Sequence, residues 1–235
     1  ILVKQKTGER AVFFERSTAT EPEFLEAHKQ LIESAYILHI NGRHRQLMRS
    51  AMAVAKEVGT IISLDGGAQR YDEDMKPITE ASHIVIVARD YAEKYTGTTN
   101  LKEACRIIHE RGACIAGVTD GANGSYFVWP DGTFYRCEPF TQSTVVDTTG
   151  AGDSFHGAFL ANLVHTINHM KGQDTTSTTK HDHASIHAVE LLKACAHSDL
   201  EKAAIFASAV ASLNTQGIGG RSPLPTLKSV QELIG

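Results

Sequence analysis

Short apolar runs alternate with helical patterns between residues 35 and 118 of this chain. The predicted strands are 35–40, 60–64, 83–88 and 113–118, and the predicted helices are 48–58 and 100–111. Gly59 and Gly112 follow the two helices, as glycine commonly does just past a helix C-terminus. Strands and helices that alternate at these lengths favour a parallel sheet with both faces covered. The sequence therefore predicts an α/β fold, a three-layer sandwich whose central, mostly parallel sheet is flanked by helices.

A β-hairpin is predicted at the start of the chain. Ile1 and Val3 alternate with polar residues, a glycine-containing turn follows at Lys6–Glu9, and Ala11–Phe14 leads out of the turn. The chain opens inside the first of these two strands, so we expect a further segment to precede Ile1.

The pattern changes after Val118. A second hairpin is predicted around Pro130-Asp131-Gly132, a strong turn signal between two apolar runs. The helices predicted in this part are 151–168, 200–214 and a last one after Pro225-Thr226. The stretch 171–183 is rich in Ser, Thr and His and lacks apolar residues that could pack, so we expect it to be a surface loop.

Composition and charge narrow the classes of function. The length of 235 residues suits one domain. The net charge is −4 and acidic and basic residues are interspersed, so the chain lacks the basic surface typical of a nucleic-acid binder. No apolar run reaches the ~18 residues that a membrane span needs. The cysteines have neither CxxC spacing nor the density of a secreted disulfide scaffold. We therefore expect a cytoplasmic protein without nucleic-acid or membrane partners.

The stretch Val145–Gly157 carries the most specific chemical signal. An extended segment runs into the turn formed by Gly150, Ala151 and Gly152, and a helix begins at once. The first amide groups of a helix have no partner within it, so small residues there let a phosphate approach and form an anion hole. Asp153 places a carboxylate beside that hole, where it could take a proton from a hydroxyl that attacks a γ-phosphoryl group. The alternative is that Asp153 only caps the helix.

The string Asp147–Asp153 closely matches the DTxGAGD signature of ribokinase-like (PfkB) carbohydrate kinases. The chain resembles that family over almost its whole length and, in parts, its ketohexokinase branch. The resemblance implies ATP-dependent phosphorylation of a primary hydroxyl of a sugar or sugar derivative, with Asp153 as catalytic base and Mg²⁺ accompanying ATP. It also implies that Asp147 and the carbonyl of Thr149 border the monovalent-cation site, for K⁺, that some members use.

Two further segments resemble the nucleotide site of the family. Thr119, Gly121 and Gly124 match its TxGxxG turn, whose backbone lies along the nucleotide phosphates. Ser208, between two alanines, and Gly217 resemble the segments that wall the adenine pocket. Packing of a core helix explains the small residues around Ser208 equally well.

The sugar side of the site resembles the family in its strand-end loops. Asn41 and Arg43 follow one predicted strand, and Asp65–Arg70 follows the next, so the resemblance places both loops near the sugar. The opening hairpin, residues 1–16, resembles part of the β-lid that covers the substrate, and residues 17–235 form the remaining nucleotide- and substrate-binding domain. Lid strands in this family often pair between subunits, which makes a homodimer through the lid an expectation.

Two features depart from the family pattern. The NxxE motif that helps to organise Mg²⁺ in many members is replaced at its two positions by Ala88 and Tyr91, so we expect the metal to be held mainly by ATP phosphates and water. Arg89 either contacts a phosphate or is a solvated side chain. The first strands, the Gly-Gly turn and the substrate-binding Asp of the family's N-terminal half do not occur before Ile1, so the identity of the sugar is left open.

Two other functions stay open as alternatives. A nucleoside kinase of the same fold would share the turn before Asp153, and a non-catalytic, regulatory nucleotide-binding protein would lack the NxxE motif. His156 lies one helical turn past Asp153, and we expect it to pack in the helix interface or to line the substrate site.

Overall fold

The computed structural model describes residues 2–3, 10–11, 18–142, 144–173, 186–222 and 224–235 of the chain. The strands are β1 Leu2–Val3, β2 Arg10–Ala11, β3 Ile37–Ile40, β4 Ile61–Gly66, β5 Ile84–Ala88, β6 Ile115–Thr119, β7 Ser125–Val128 and β8 Phe134–Cys137. The helices are α1 Glu26–Ser34, α2 Arg45–Val58, α3 Lys76–Glu80, α4 Arg89–Thr96, α5 Leu101–Glu110, α6 Ala151–Gln173, α7 Ile186–Ala194, α8 His197–Asn214 and α9 Leu227–Ile234.

Six strands form the main sheet in the order β3-β4-β5-β6-β7-β8. Strands β3 to β6 are parallel, with Leu38 opposite Ile62 and Val85 opposite Ala116. β7 and β8 continue the sheet as the predicted hairpin and pair antiparallel. The sheet is therefore mostly parallel, as the sequence predicts, and the carboxyl ends of β3 to β6 lie along one edge.

The two faces of the sheet pack against different helices, because successive strand residues point to opposite faces. In β4, Ile62 and Leu64 belong to a core with buried residues of α1 to α5. Their neighbour Ile61 belongs to a second core, which includes Phe159 of α6 and Ala204 of α8. This arrangement confirms the three-layer α/β sandwich and places α6 across one face of the sheet.

Several element boundaries differ from the sequence prediction. Helix α4 begins directly after β5, so Arg89 lies in its first turn instead of in a strand-end loop. Helix α6 continues to Gln173, which corrects the predicted start of the polar loop at Lys171; the rest of that loop lies outside the described residues. Helices α1, α3, α4 and α7 were not predicted.

The opening hairpin is present as two short paired strands. Leu2 lies opposite Ala11 in an antiparallel pair of β1 with β2. The predicted turn, and the boundary between residues 16 and 17, lie outside the described residues. Within the described ranges, no helix is both long and apolar enough to cross a bilayer.

Candidate active site

The amino end of α6 forms the centre of the candidate site. Gly150 has a φ of +81°, a left-handed conformation that suits glycine, and Ala151 begins the helix. The amide of Ser154 donates to the Gly150 carbonyl at 2.8 Å, and the Ala151 amide donates to the Thr148 carbonyl at 3.3 Å. The exposed carboxylate of Asp153 lies in the first turn. The structure thus brings together Asp153 and the predicted anion-hole turn.

Asp147 anchors this turn to the segment after α8. Its buried carboxylate accepts the amide of Thr149 at 2.8 Å through Oδ1 and the amide of Gly219 at 2.9 Å through Oδ2. The amides of Val146 and Asp147 both donate to the carbonyl of Thr215. The turn before α6 is consequently held in register with residues 215–220.

A cavity of about 470 Å³ opens beside Asp153, between α6, α8 and α9. Its walls are mainly apolar, with Phe206 and Val210 from α8 and Leu227 and Val230 from α9. A second cavity of about 290 Å³ includes the predicted nucleotide-binding Gly217 in its lining. An apolar pocket with one carboxylate beside a helix N-terminus has the composition of a small-molecule site.

Ser208 is not among the residues that line either cavity. It is buried on α8, and its hydroxyl donates to the carbonyl of Glu138 at 3.4 Å, just after β8. Phe206 and Val210, two positions away on either side, supply the lining on this helix instead. The nucleotide-binding role of Ser208 stays a prediction.

The predicted phosphate turn connects β6 to β7. Thr119 ends β6, and both glycines have left-handed backbones, with φ of +53° at Gly121 and +90° at Gly124. A side chain on Gly124 would clash with the carbonyl oxygen of Cys137. Arg89 reaches this turn, because its Nη1 lies 3.0 Å from Oδ2 of Asp120. Its Nε also donates to a glutamate one turn along α4, so Arg89 is held by two carboxylates.

The loops after β3 and β4 meet at the same edge of the sheet. The side chain of Asn41 accepts the amide of Arg43 at 3.2 Å, and Arg70 donates to the Asn41 carbonyl at 3.2 Å. Arg43 itself is exposed. These two loops, which the sequence predicts to lie near the sugar acceptor, therefore contact each other directly, and we call them the acceptor loops.

A contact not anticipated from the sequence joins α6 to β4. Nε2 of His156 lies 3.3 Å from Oδ1 of Asp65, and both residues are buried. Burial would raise the pKa of Asp65, but the hydrogen bond and charge of His156, together with Arg70, lower it overall. The motif indicated Asp153, but no sequence spacing indicated that His156 would meet a carboxylate on a distant strand.

The two positions that replace the NxxE motif offer no metal ligand. Ala88 has no polar side chain, and the buried hydroxyl of Tyr91 is 2.7 Å from the hydroxyl of Thr79. Burial raises the pKa of Tyr91 to about 12, so its phenol stays protonated. A magnesium ion at this site would depend on other oxygen ligands.

Comparison with known proteins places the chain in a family. A family sequence profile described as pfkB family carbohydrate kinase matches residues 1–227. The chain is 30% identical over 177 residues to Probable fructokinase-5 from Arabidopsis thaliana. The aligned region covers 68% of this chain and 54% of that protein.

Among solved structures, ribokinase from Giardia lamblia superposes with a TM-score of 0.68 at 17% identity, over 88% of this chain and 61% of that one. Arabidopsis thaliana ribokinase complexed with ribose and ATP has a TM-score of 0.64 at 22% identity, over 91% and 60%. The chain spans less than two thirds of the length of each of these three proteins. The match over residues 1–227 and the shared fold mean that the chain belongs to the pfkB family of carbohydrate kinases.

Proposed function

We propose that this protein transfers the γ-phosphoryl group of ATP to a primary hydroxyl of a sugar or sugar derivative. The observation that carries the proposal is the position of Asp153, in the first turn of α6 and on the wall of the 470 Å³ cavity. A carboxylate there lies beside helix amides that can bind a transferring phosphoryl group. Family membership and the resemblance to sugar kinases over residues 1–227 support the same activity.

Asp153 acts as the general base in this proposal. As the acceptor oxygen bonds to the γ-phosphorus, its proton passes to the carboxylate of Asp153, and the bond between the γ-phosphorus and the bridging oxygen breaks to release ADP. The amide groups of the turn at Gly150–Gly152 stabilise the negative charge on the transferring group. ATP supplies the phosphoryl group, and the chain supplies the base, the anion site and the orientation.

The remaining predicted residues have roles around this centre. The apolar cavity wall at Phe206 and Val210 suits an adenine ring, and the turn from Thr119 to Gly124 would follow the phosphates. We propose that Mg²⁺ is held by ATP phosphates and water, because Ala88 and Tyr91 offer no ligand.

The cation and acceptor sites extend the same proposal. A monovalent cation such as K⁺ would lie beside the carboxylate of Asp147, whose two oxygens also accept the amides of Thr149 and Gly219. Asn41 and Arg43 would contact the acceptor from the end of β3.

The proposal is tested by replacing Asp153 with Asn in the full chain. We expect nucleotide binding to change little and turnover to fall by about 10²–10⁴-fold, since the general base is lost. The assay measures ADP release with Mg-ATP across ketohexoses, aldopentoses, sugar acids and nucleosides. Asp131→Asn, in the exposed hairpin between β7 and β8, is the control and should keep wild-type turnover.

Other outcomes of this assay lead to different functions. Turnover on nucleosides alone would identify a nucleoside kinase of the same fold. Nucleotide binding without ADP release on any acceptor would favour a regulatory protein. If Asp153→Asn kept wild-type turnover, the assignment of the base would be wrong.

Two expectations about the whole protein belong to this proposal. Pairing of the hairpin β1–β2 between subunits would give a homodimer, which sedimentation of the full chain can measure. The cysteines at 105, 114, 137 and 195 are all free thiols, which suits a reducing cytoplasm.

A further inference from the structure

A buried polar contact crosses the interface between the sheet and α6. The α6-facing residues of β4 change along the strand from apolar Ile61 to Ser63 and then Asp65. His39 lies beside Ser63 in β3, and its Nδ1 is 3.2 Å from the Ser63 hydroxyl. The polar residues therefore lie at the carboxyl end of the sheet, where the first turns of α6 cover it.

Asp65 is the centre of this contact and joins three parts of the chain. Its Oδ1 lies 3.3 Å from Nε2 of His156, and its Oδ2 lies 3.6 Å from Nη1 of Arg70. The same guanidinium donates to the carbonyl of Asn41. We call Asp65, His156 and Arg70 the Asp65 bridge. It forms a continuous polar path from α6, one turn after Asp153, to the predicted acceptor loop.

The protonation state of the bridge follows from its geometry. The carboxylate of Asp65 faces Arg70 as well as His156, and these partners lower its pKa, so it accepts and Nε2 of His156 donates in their contact. Nδ1 of the same ring is buried and has no hydrogen-bond partner among the described residues. Two other ionisable groups face the bridge. The ring centroid of His39 lies 5.4 Å from that of His156, and the charge of Asp153 acts to raise the pKa of His39.

Stability alone is a poor reason for such a contact. A buried ion pair loses hydration on folding, and well-packed apolar residues in its place are often equally or more stabilising. The neighbouring positions on the same face are apolar, because Ile61, Ile84 and Phe159 belong to one hydrophobic core. The polar bridge lies where the catalytic helix and the acceptor loops have to keep a fixed relative position.

We propose that His156 is a positioning residue, which through Asp65 holds Asp153 in register with the acceptor loop at Asn41. This inference rests on the proposed kinase function. Misplacement of a base by about 1 Å can lower a rate by about 10²-fold, so a contact one turn away can control turnover without touching substrate. The nucleotide cavity lies on the other side of Asp153, between α6, α8 and α9, and should be unaffected.

The test compares variants of the full chain that break or retain the contact. We expect His156→Leu to lower kcat by about 10–100-fold and to raise KM for the acceptor, with KM for ATP unchanged within about twofold. His156→Gln can place an amide donor near the position of Nε2, so it should recover most of kcat. Asp65→Asn keeps the side-chain volume and removes the charge. It should also lower kcat and leave KM for ATP unchanged, with a smaller fall in kcat than His156→Leu.

A matched control separates positioning from stabilisation. His197 and Asp131 form a second His–Asp pair, with Nε2 2.9 Å from Oδ2, but both side chains are exposed. Asp131 lies in the turn between β7 and β8, at the end of the strand order away from β3. His197→Leu should leave kcat unchanged. If folded His156→Leu and Asp65→Asn lowered only the melting temperature and kept wild-type kcat, the positioning role would be overturned.

A second readout does not depend on turnover. The ¹H–¹⁵N resonances of Gly152 and Asp153 should move in His156→Leu and Asp65→Asn and return towards wild-type positions in His156→Gln. Resonances that stay fixed in the first two variants would overturn the proposal. If the wild-type protein phosphorylates no acceptor, the proposed function fails, and the resonances alone then decide whether the Asp65 bridge positions Asp153. Should His156→Leu not fold, Asp65→Asn decides both readouts.

Discussion

The backbones of Gly150 and Gly220 lie in direct contact, so that a Cβ atom on Gly150 would clash with the Cα of Gly220 and stand 3.0 Å from its carbonyl oxygen. This contact joins the turn before α6 to the segment after α8, and Gly220 of that segment also lines the cavity beside Asp153. The glycine at position 150 is therefore required both by its left-handed φ of +81° and by the close approach of a second backbone.

Replacing Gly150 with Ala should strongly destabilise the protein. The left-handed conformation costs an L residue about 1–2 kcal/mol, and the clash with a backbone that cannot rotate away adds to it, so we expect a loss of about 3 kcal/mol or more. Urea unfolding measures the change. Gly157→Ala, in the helix that follows, is the control, because a Cβ there meets no atom within 4 Å. Alanine at that helical position should stabilise by about 0.5–1 kcal/mol. Equal effects of the two changes would contradict the role of the Gly150–Gly220 contact.

Replacing Asp147 with Asn should loosen the same junction. The carboxylate accepts amides from both sides, at Thr149 and at Gly219, and an Asn side chain has only one oxygen to accept with. Hydrogen bonds to a charged group contribute about 1.5–3 kcal/mol each, so we expect the free energy of unfolding to fall by about 2 kcal/mol or more. Nucleotide affinity should weaken as well, measured by titration with ADP. Asp131→Asn on the exposed hairpin, far from this junction, should leave the ADP affinity unchanged.

The central part of the fold and the centre of the site could be predicted because their signals are local. The alternation of apolar runs with helices predicts the parallel sheet, and seven consecutive residues, Asp147–Asp153, predict a carboxylate beside a turn of small residues at the start of a helix. The confirmed end of α2 at Gly59 depends on a single glycine with a φ of +72°.

The features that sequence reasoning missed depend on non-local contacts or on rotation of a helix. Helix α8 is rich in alanine on all sides, so its pattern does not tell which residues face the sheet and which face the cavity. The sequence predicts a nucleotide-binding role for Ser208, which stays a prediction, but does not indicate that Phe206 and Val210 line the cavity. His156 and Asp65 lie on elements distant in the chain, and no periodicity links them. Helix α4 was missed because its polar first turn resembles a strand-end loop.

The half-buried His83, directly before β5, should make stability depend on pH. Nδ1 of His83 accepts the amide of Ile62 at 3.0 Å, which only the neutral ring can do. Burial, and then the charge of Lys193, lowers the pKa of His83 below its ordinary value of 6.5. Between the folded and unfolded pKa values the unfolded chain binds more protons, so stability rises with pH in that window and is lost as pH falls below about 6.5.

His83→Asn isolates this contribution, because its Oδ1 can accept the same amide and does not titrate. We expect the free energy of unfolding of the variant, measured in urea from pH 7.5 to pH 5, to fall less steeply than that of wild type. His39, whose pKa is lowered by partial desolvation and by His156, acts in the same direction, so some slope should remain. The double variant with His39→Asn should be flatter still. Identical slopes for wild type and His83→Asn would mean that the ring nitrogen does not accept the Ile62 amide in solution.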